Sequence, residues 1–86
     1  MDYCVITFAS TNGAIYAQRV LKDVAPFVIM PVLREISKGC GISVRFSPEH
    51  LPAVRDAMAA AQLPPAEYAF YGITGSGTDL RTQLLA

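Results

Sequence analysis

The order of strand-like and helix-like segments constrains this chain most. Residues 3–9 alternate in polarity and are rich in β-branched and aromatic residues, which is typical of a strand. Ser10 or Thr11 can then cap a helix over residues 12–24, where apolar residues recur at helical spacing. The complete predicted order is strand, helix, strand, strand, helix, strand, over residues 3–9, 12–24, 27–33, 42–46, 48–61 and 67–73.

Prolines modify two of these predictions. Pro31 interrupts the second strand, which favours a position at the edge of the sheet. Ser47 and Pro48 read as the cap and first position of the second helix. Because Pro52 would remove a helical hydrogen bond, the helix could instead begin near Leu51, with residues 48–50 as a separate turn.

This order predicts an α+β fold of the ferredoxin-like type: a four-stranded antiparallel sheet with two helices on one face. At 86 residues the chain is long enough for one domain, which we expect to span residues 1–74. Residues 75–86 are expected to be a flexible Gly/Ser linker and a short C-terminal tail. The hydrophobic content of 52% is high for a small domain, so part of the apolar surface is expected at an interface.

Composition argues against several classes of function. Seven basic and seven acidic residues cancel, which does not indicate a nucleic-acid partner. The apolar N-terminal run is too short to span a bilayer and lacks the basic flank of an export signal, so we expect a cytoplasmic protein that does not enter membranes. With one histidine and no Cys-x-x-Cys, neither a metal nor another cofactor is expected.

Cys40 is the strongest candidate for chemistry, because Gly39 and Gly41 flank it and leave its sulfur accessible. Arg34 and Lys38 precede it and Arg45 follows, and nearby cations favour the thiolate, which is the reactive form. The alternative is a tight hairpin turn that contains a cysteine without a special role.

The predicted topology brings Cys40 to the end of the sheet where the first helix begins, near Ser10 and Thr11. A helix N-terminus carries partial positive charge and would stabilise an anionic sulfur. Cys4 is in phase with the buried side of the first strand, at the opposite end and roughly 15–17 Å away. We therefore expect Cys4 in the core, without a disulfide to Cys40. The single histidine, His50, is also expected at that far end and not to act as a catalytic base.

The segment Arg34-Glu35-Ile36-Ser37-Lys38-Gly39-Cys40-Gly41, followed by a strand that ends in Arg45-Phe46, resembles the selenium/sulfur carrier protein-like domains of bacteria. The resemblance covers about residues 3–73. It implies that Cys40 holds sulfur or selenium as a persulfide or selenosulfide and passes it between donor and acceptor proteins. The supporting residues are then expected to be Gly39, Gly41, Arg34, Ser37, Lys38, Ser10 and Thr11, although Ser37 could equally cap the turn and Lys38 could face solvent.

Three hypotheses of function remain open on the sequence. A carrier needs only an accessible thiolate, and the sequence contains no Ser/His/Asp or Cys/His constellation of a stand-alone enzyme. A non-catalytic interaction module would use the sheet face without helices, which is expected to expose Tyr3, Val5, Thr7 and Tyr71. A homodimer could form through the same face. A thiol redox sensor would need an intermolecular partner, because Cys4 is badly placed to resolve an oxidised Cys40.

Overall fold

The computed structural model describes residues 1–36 and 40–85. The predicted order of elements is present, and a further strand follows it. The strands are β1 (Tyr3–Phe8), β2 (Val28–Pro31), β3 (Ile42–Phe46), β4 (Tyr68–Thr74) and β5 (Arg81–Leu85), and the helices are α1 (Thr11–Leu21) and α2 (Leu51–Ala60). The chain thus forms an α+β domain with an antiparallel sheet.

The sheet has the strand order β2-β3-β1-β4-β5, with every neighbouring pair antiparallel. The predicted pairing of residues 42–46 with the first strand is confirmed, and Val44 lies opposite Ile6. β2 lies at one edge of the sheet, as Pro31 predicted, because a residue without an N–H is tolerated where no further strand has to pair.

The prediction of four strands is wrong, because β5 pairs with β4 and makes a fifth. The turn between them depends on glycine: Gly75 and Gly77 have φ values of 84° and 60°, a region that side chains disfavour. A Cβ atom on Gly75 would also lie 2.5 Å from the carbonyl oxygen of Asp79. The Gly75 N–H donates to the carboxylate of Asp2 at 2.8 Å, which fixes the turn beside the start of β1. The segment predicted to be a flexible linker and tail thus returns along the sheet.

One face of the sheet, here called the helix face, carries the main core. β1 places Cys4, Ile6 and Phe8 on this face, where residues of both helices pack against them. The buried members of this cluster are Cys4, Ile6, Phe8, Ala14, Ala17, Leu21, Ala25, Val44, Phe46, Val54, Met58 and Phe70. Alternation along the strands and helical spacing in α1 and α2 therefore bury one continuous core.

The opposite face, here called the second face, is not open as the sequence analysis expected. Val5 and Ile73 are fully buried there, and Thr7 is 5% exposed. The chain after β2 turns over this face, and Val32, Leu33 and Ile36 pack with Val5 and Ile73. The expected exposure of Val5 and Thr7 is therefore wrong, and for Val5 the reason is that this connection packs over it.

The second helix begins at Leu51, after a separate turn at Pro48–His50. This is the later of the two starts that the sequence left open. Pro52 then lies in the first turn of α2, where its missing N–H removes no intrahelical hydrogen bond. The position of the helix therefore resolves the apparent misfit of Pro52.

Candidate thiol site

Cys40 is held at the end of the sheet where β1 finishes. Its backbone N–H donates to the carbonyl oxygen of Phe8 at 2.9 Å, and Phe8 is the last residue of β1. Its Sγ lies 3.4 Å from the carbonyl oxygen of Ile42, with the thiol as donor. The side chain packs partly against the helix-face core and remains half-buried. Backbone contacts therefore fix the position of a thiol that solvent can still reach.

The N-terminus of α1 lies at this same end of the sheet. Only Ala9 separates Phe8 from Ser10, which caps the helix by accepting a hydrogen bond from the Gly13 N–H at 3.2 Å. Thr11 is the first residue of the helix and is exposed. The first N–H groups of a helix have no intrahelical partner and carry partial positive charge. The structure thus brings together Cys40, Ser10 and Thr11 at one end of the sheet, as the topology predicted.

Gly41, which follows Cys40 in the chain, has open space at its Cβ position. A Cβ atom at this position would meet no atom within 4 Å beyond its chain neighbours, and the residue is exposed. Its φ is not among the positive values, which belong to Gly75 and Gly77. The role of Gly41 is therefore openness rather than an unusual backbone conformation.

The charged residues around the site are not all directed at Cys40. Arg45 lies on the second face, where its guanidinium carbon is 4.1 Å from the centre of the Tyr3 ring. It is thus engaged across the sheet from the side on which Cys40 packs. Arg34 and Glu35 are exposed in the turn that covers the second face. The expected contributions of Ser37, Lys38 and Gly39 fall outside the described residues.

Cys4 has the opposite character, as predicted. It is fully buried in the helix-face core at the beginning of β1, and its Sγ lies 3.3 Å from the Sδ of Met1. Burial raises the pKa of the Cys4 thiol, and the positive charges of Arg55 and the N-terminus oppose this only in part. Both cysteines are free. Cys4 is therefore a protected thiol, whereas Cys40 is the accessible one.

A surface hollow of about 440 Å³ lies at the end of the sheet far from Cys40. Its lining includes Asp2, Tyr3, Arg45 and His50. The predicted position of His50 at this far end is confirmed. The imidazole lies 3.6 Å from the carboxylate of Glu49 and makes a local ion pair when protonated. Cys40 does not line this hollow, so the hollow is not part of the thiol site despite its size.

A second hollow of about 360 Å³ lies at the end of β1, and Cys40 does not line it either. It is lined by apolar and aromatic groups around the end of β1, among them Phe8, Tyr68 and Leu84. The carbonyl oxygen of Phe8 is the group that anchors the Cys40 N–H. Leu84 in this lining belongs to β5, which the sequence did not predict.

Other kinds of site have little support in the part of the chain that the structure describes. Within residues 1–36 and 40–85, no three His, Cys, Asp or Glu side chains group closely enough to hold a metal ion. No helix in these two ranges has the length and apolar character needed to cross a membrane. The two cysteines thus remain the main candidates for chemistry.

The fold and the site together define a small α+β domain that presents one partly exposed thiol at the end of the sheet where α1 begins. Residues 3–69 match the model of the family described as "Putative Se/S carrier protein-like", and the chain belongs to this family. The match confirms the resemblance drawn from the sequence. Neither a curated protein nor a solved structure matches the chain.

Proposed function

We propose that the protein carries sulfur or selenium on Cys40 and passes it from a donor protein to an acceptor protein. The observation that carries the proposal is the contrast between the two thiols: Cys40 is partly exposed at the end of the sheet where α1 begins, and Cys4 is fully buried. The family to which the chain belongs is named for carriers of selenium and sulfur, which agrees with this contrast.

The transfer needs a nucleophilic thiolate and no further catalytic group on this chain. The Cys40 thiolate attacks the outer sulfur of a persulfide on the donor, R–S–SH. A bond forms between Cys40 Sγ and that sulfur, the S–S bond of the donor breaks, and the donor leaves as the thiolate R–S⁻. An acceptor thiolate then attacks the outer sulfur on Cys40 and regenerates the Cys40 thiolate. No net oxidation occurs, and selenium would follow the same path with an S–Se bond.

The surroundings of Cys40 suit such an anionic cargo. α1 begins at the same end of the sheet, and the first N–H groups of a helix carry partial positive charge. The open side at Gly41 leaves room for a donor or acceptor to approach. The backbone hydrogen bond to Phe8 holds the Cα of Cys40 in place while the outer atom is transferred.

The test is an intact-mass measurement after incubation with a cysteine desulfurase and cysteine, followed by removal of the desulfurase. The wild-type protein should gain the mass of one sulfur atom, and dithiothreitol should remove it. Cys4→Ala should gain the same mass, and Cys40→Ser should not. Replacing cysteine by selenocysteine, with a lyase that forms a selenium-loaded donor, tests selenium in the same way.

Two results would contradict the proposal. The first is an unmodified wild-type protein in a reaction where the desulfurase itself becomes persulfidated. The second is equal modification of wild type and Cys40→Ser. The alternative of a redox sensor has no added support, because the buried Cys4 lies at the far end of β1 from Cys40.

We also infer a ferredoxin-like arrangement for the first four strands and the two helices. The order β2-β3-β1-β4 with antiparallel neighbours supports this arrangement, and β5 is then an addition at one edge. Both helices contribute to the helix-face core, which also agrees with it.

A further inference from the structure

β5 is an edge strand with features that favour pairing with another chain. It is the last strand in the sheet order and pairs on one side with β4. Its residue Leu84 is 63% exposed, the highest value among the exposed large apolar side chains in the described residues. An edge strand presents a row of backbone N–H and C=O groups that can serve as a template for another strand.

The two edges of the sheet differ in how they are protected. β2 is four residues long and ends at Pro31, which cannot donate a ladder hydrogen bond. β5 is five residues long, with the sequence Arg-Thr-Gln-Leu-Leu, and contains neither proline nor lysine. Natural edge strands commonly prevent association with proline and with charged side chains, lysine above all. β5 has one charged residue, Arg81 at its first position, and no proline, so it is the less protected edge.

We infer that β5 pairs with β5 of a second copy of this chain, in antiparallel register about a two-fold axis at Gln83. This register overlaps all five residues of the strand. Gln83 then lies opposite Gln83 of the second copy, Thr82 lies opposite Leu84, and Arg81 lies opposite Leu85. The two sheets become one continuous sheet across the dimer.

The side chains of β5 are suited to this self-pairing. Thr82 and Leu84 lie on the second face, because their partners in β4 are Ile73 and Tyr71. Opposite residues in an antiparallel pair share a face, so the methyl group of Thr82 would cover Leu84 of the second copy. Both Leu84 side chains, diagonal neighbours across the axis, would then lose exposure together.

Electrostatics favour a second copy over a charged partner. β5 carries one charged residue, Arg81, at its first position. Antiparallel pairing places the two Arg81 residues at opposite ends of the shared ladder, about 13 Å apart along the strand, at about 3.3 Å per residue. The formal net charge of the chain is zero, so two copies do not repel one another through their overall charge. A parallel arrangement would instead bring the two arginines together.

Site-directed disulfide formation tests the register without dependence on sulfur transfer. In a Cys40→Ser background, which removes the accessible native thiol, Gln83→Cys should form an intermolecular disulfide with oxidised glutathione as the oxidant. The matched control is Arg81→Cys, whose counterpart lies at the other end of the ladder. Pairing raises the effective concentration of the Gln83→Cys thiols, so we expect them to couple on the order of tenfold faster or more than those of Arg81→Cys.

Light scattering tests the same surface without new cysteines. The wild type should be a dimer and Leu84→Lys should be a monomer. Val28→Lys should remain a dimer; Val28 is 56% exposed on the opposite edge strand, so it is a matched control for Leu84. Circular dichroism checks that each variant is folded. If Leu84→Lys does not fold, the disulfide coupling of the two cysteine variants tests the dimer instead. A monomeric wild type together with equal coupling of the two cysteine variants would overturn the inference. A dimer that Val28→Lys disrupts and Leu84→Lys does not would also overturn it.

Discussion

Ile36 offers a direct test of how the loop that carries Cys40 is held. It is 7% exposed and packs on the second face with Val5 and Ile73. It precedes Cys40 by four residues in the same connection between β2 and β3. Replacing it by alanine keeps the backbone and removes the buried part of the side chain. We therefore expect Ile36→Ala to destabilise the domain and loosen the attachment of this connection.

The size of the effect follows from the burial of the side chain. The substitution removes three carbon atoms, worth about 0.8 kcal/mol each, or about 2.4 kcal/mol in transfer free energy. A residual cavity adds to this, which brings the expected loss to about 2–4 kcal/mol. A domain of this length has a free energy of unfolding of roughly 4–13 kcal/mol, so the loss is a large fraction of it. The melting temperature should fall by roughly 10–25 °C.

Urea denaturation followed by circular dichroism measures this loss. The matched control is Ile15→Ala, because Ile15 lies in α1 and is 45% exposed. We expect the control to change the free energy of unfolding by less than about 0.5 kcal/mol. Alkylation of Cys40 under native conditions should also become faster in Ile36→Ala and stay unchanged in Ile15→Ala. If Ile36→Ala and Ile15→Ala lower the free energy of unfolding by the same amount, the packing of this connection on the second face does not stabilise the domain, and the reasoning fails.

Three further predictions concern the cap, the buried thiol and the open side of the site. Ser10→Ala should lower the free energy of unfolding by about 1 kcal/mol in thermal unfolding, because the Gly13 N–H loses its acceptor; an unchanged stability would contradict the cap. Because the pKa of Cys4 is raised in the folded state, the thiol of the unfolded chain ionises at a lower pH. The free energy of unfolding should therefore fall as the pH rises through the ordinary thiol pKa of about 8.5, and it should fall less in Cys4→Ala. Equal pH profiles of the two proteins would contradict this prediction. Gly41→Ala should leave stability within about 0.5 kcal/mol while slowing alkylation of Cys40 by a bulky reagent; a large loss of stability would show that this side is not open.

The sequence by itself determined the elements whose signals are local. Alternation predicted β1 and the bounds of β3, Ile42–Phe46. Ser10 or Thr11 was predicted to cap α1, and Ser10 is the cap. The phase of Cys4 along β1 was enough to predict a buried thiol. These signals are strong because a side chain two residues along a strand, or three to four along a helix, lies on the same face whatever the rest of the chain does.

Only the tertiary structure determined the fifth strand and the cover on the second face. The run 81–85 has no clear alternation, so it is a strand only because β4 offers an edge and a glycine turn returns the chain to it. The predicted second strand ran to residue 33, but β2 ends at Pro31. Leu33 and Ile36 pack instead on the second face, against Val5 and Ile73 from distant parts of the chain. The hydrogen bond from Cys40 to the carbonyl oxygen of Phe8 is likewise a backbone contact across 32 positions, for which side-chain identity gives no signal. Contacts of this kind form because separate segments are brought together, and a pattern read along one segment does not contain them.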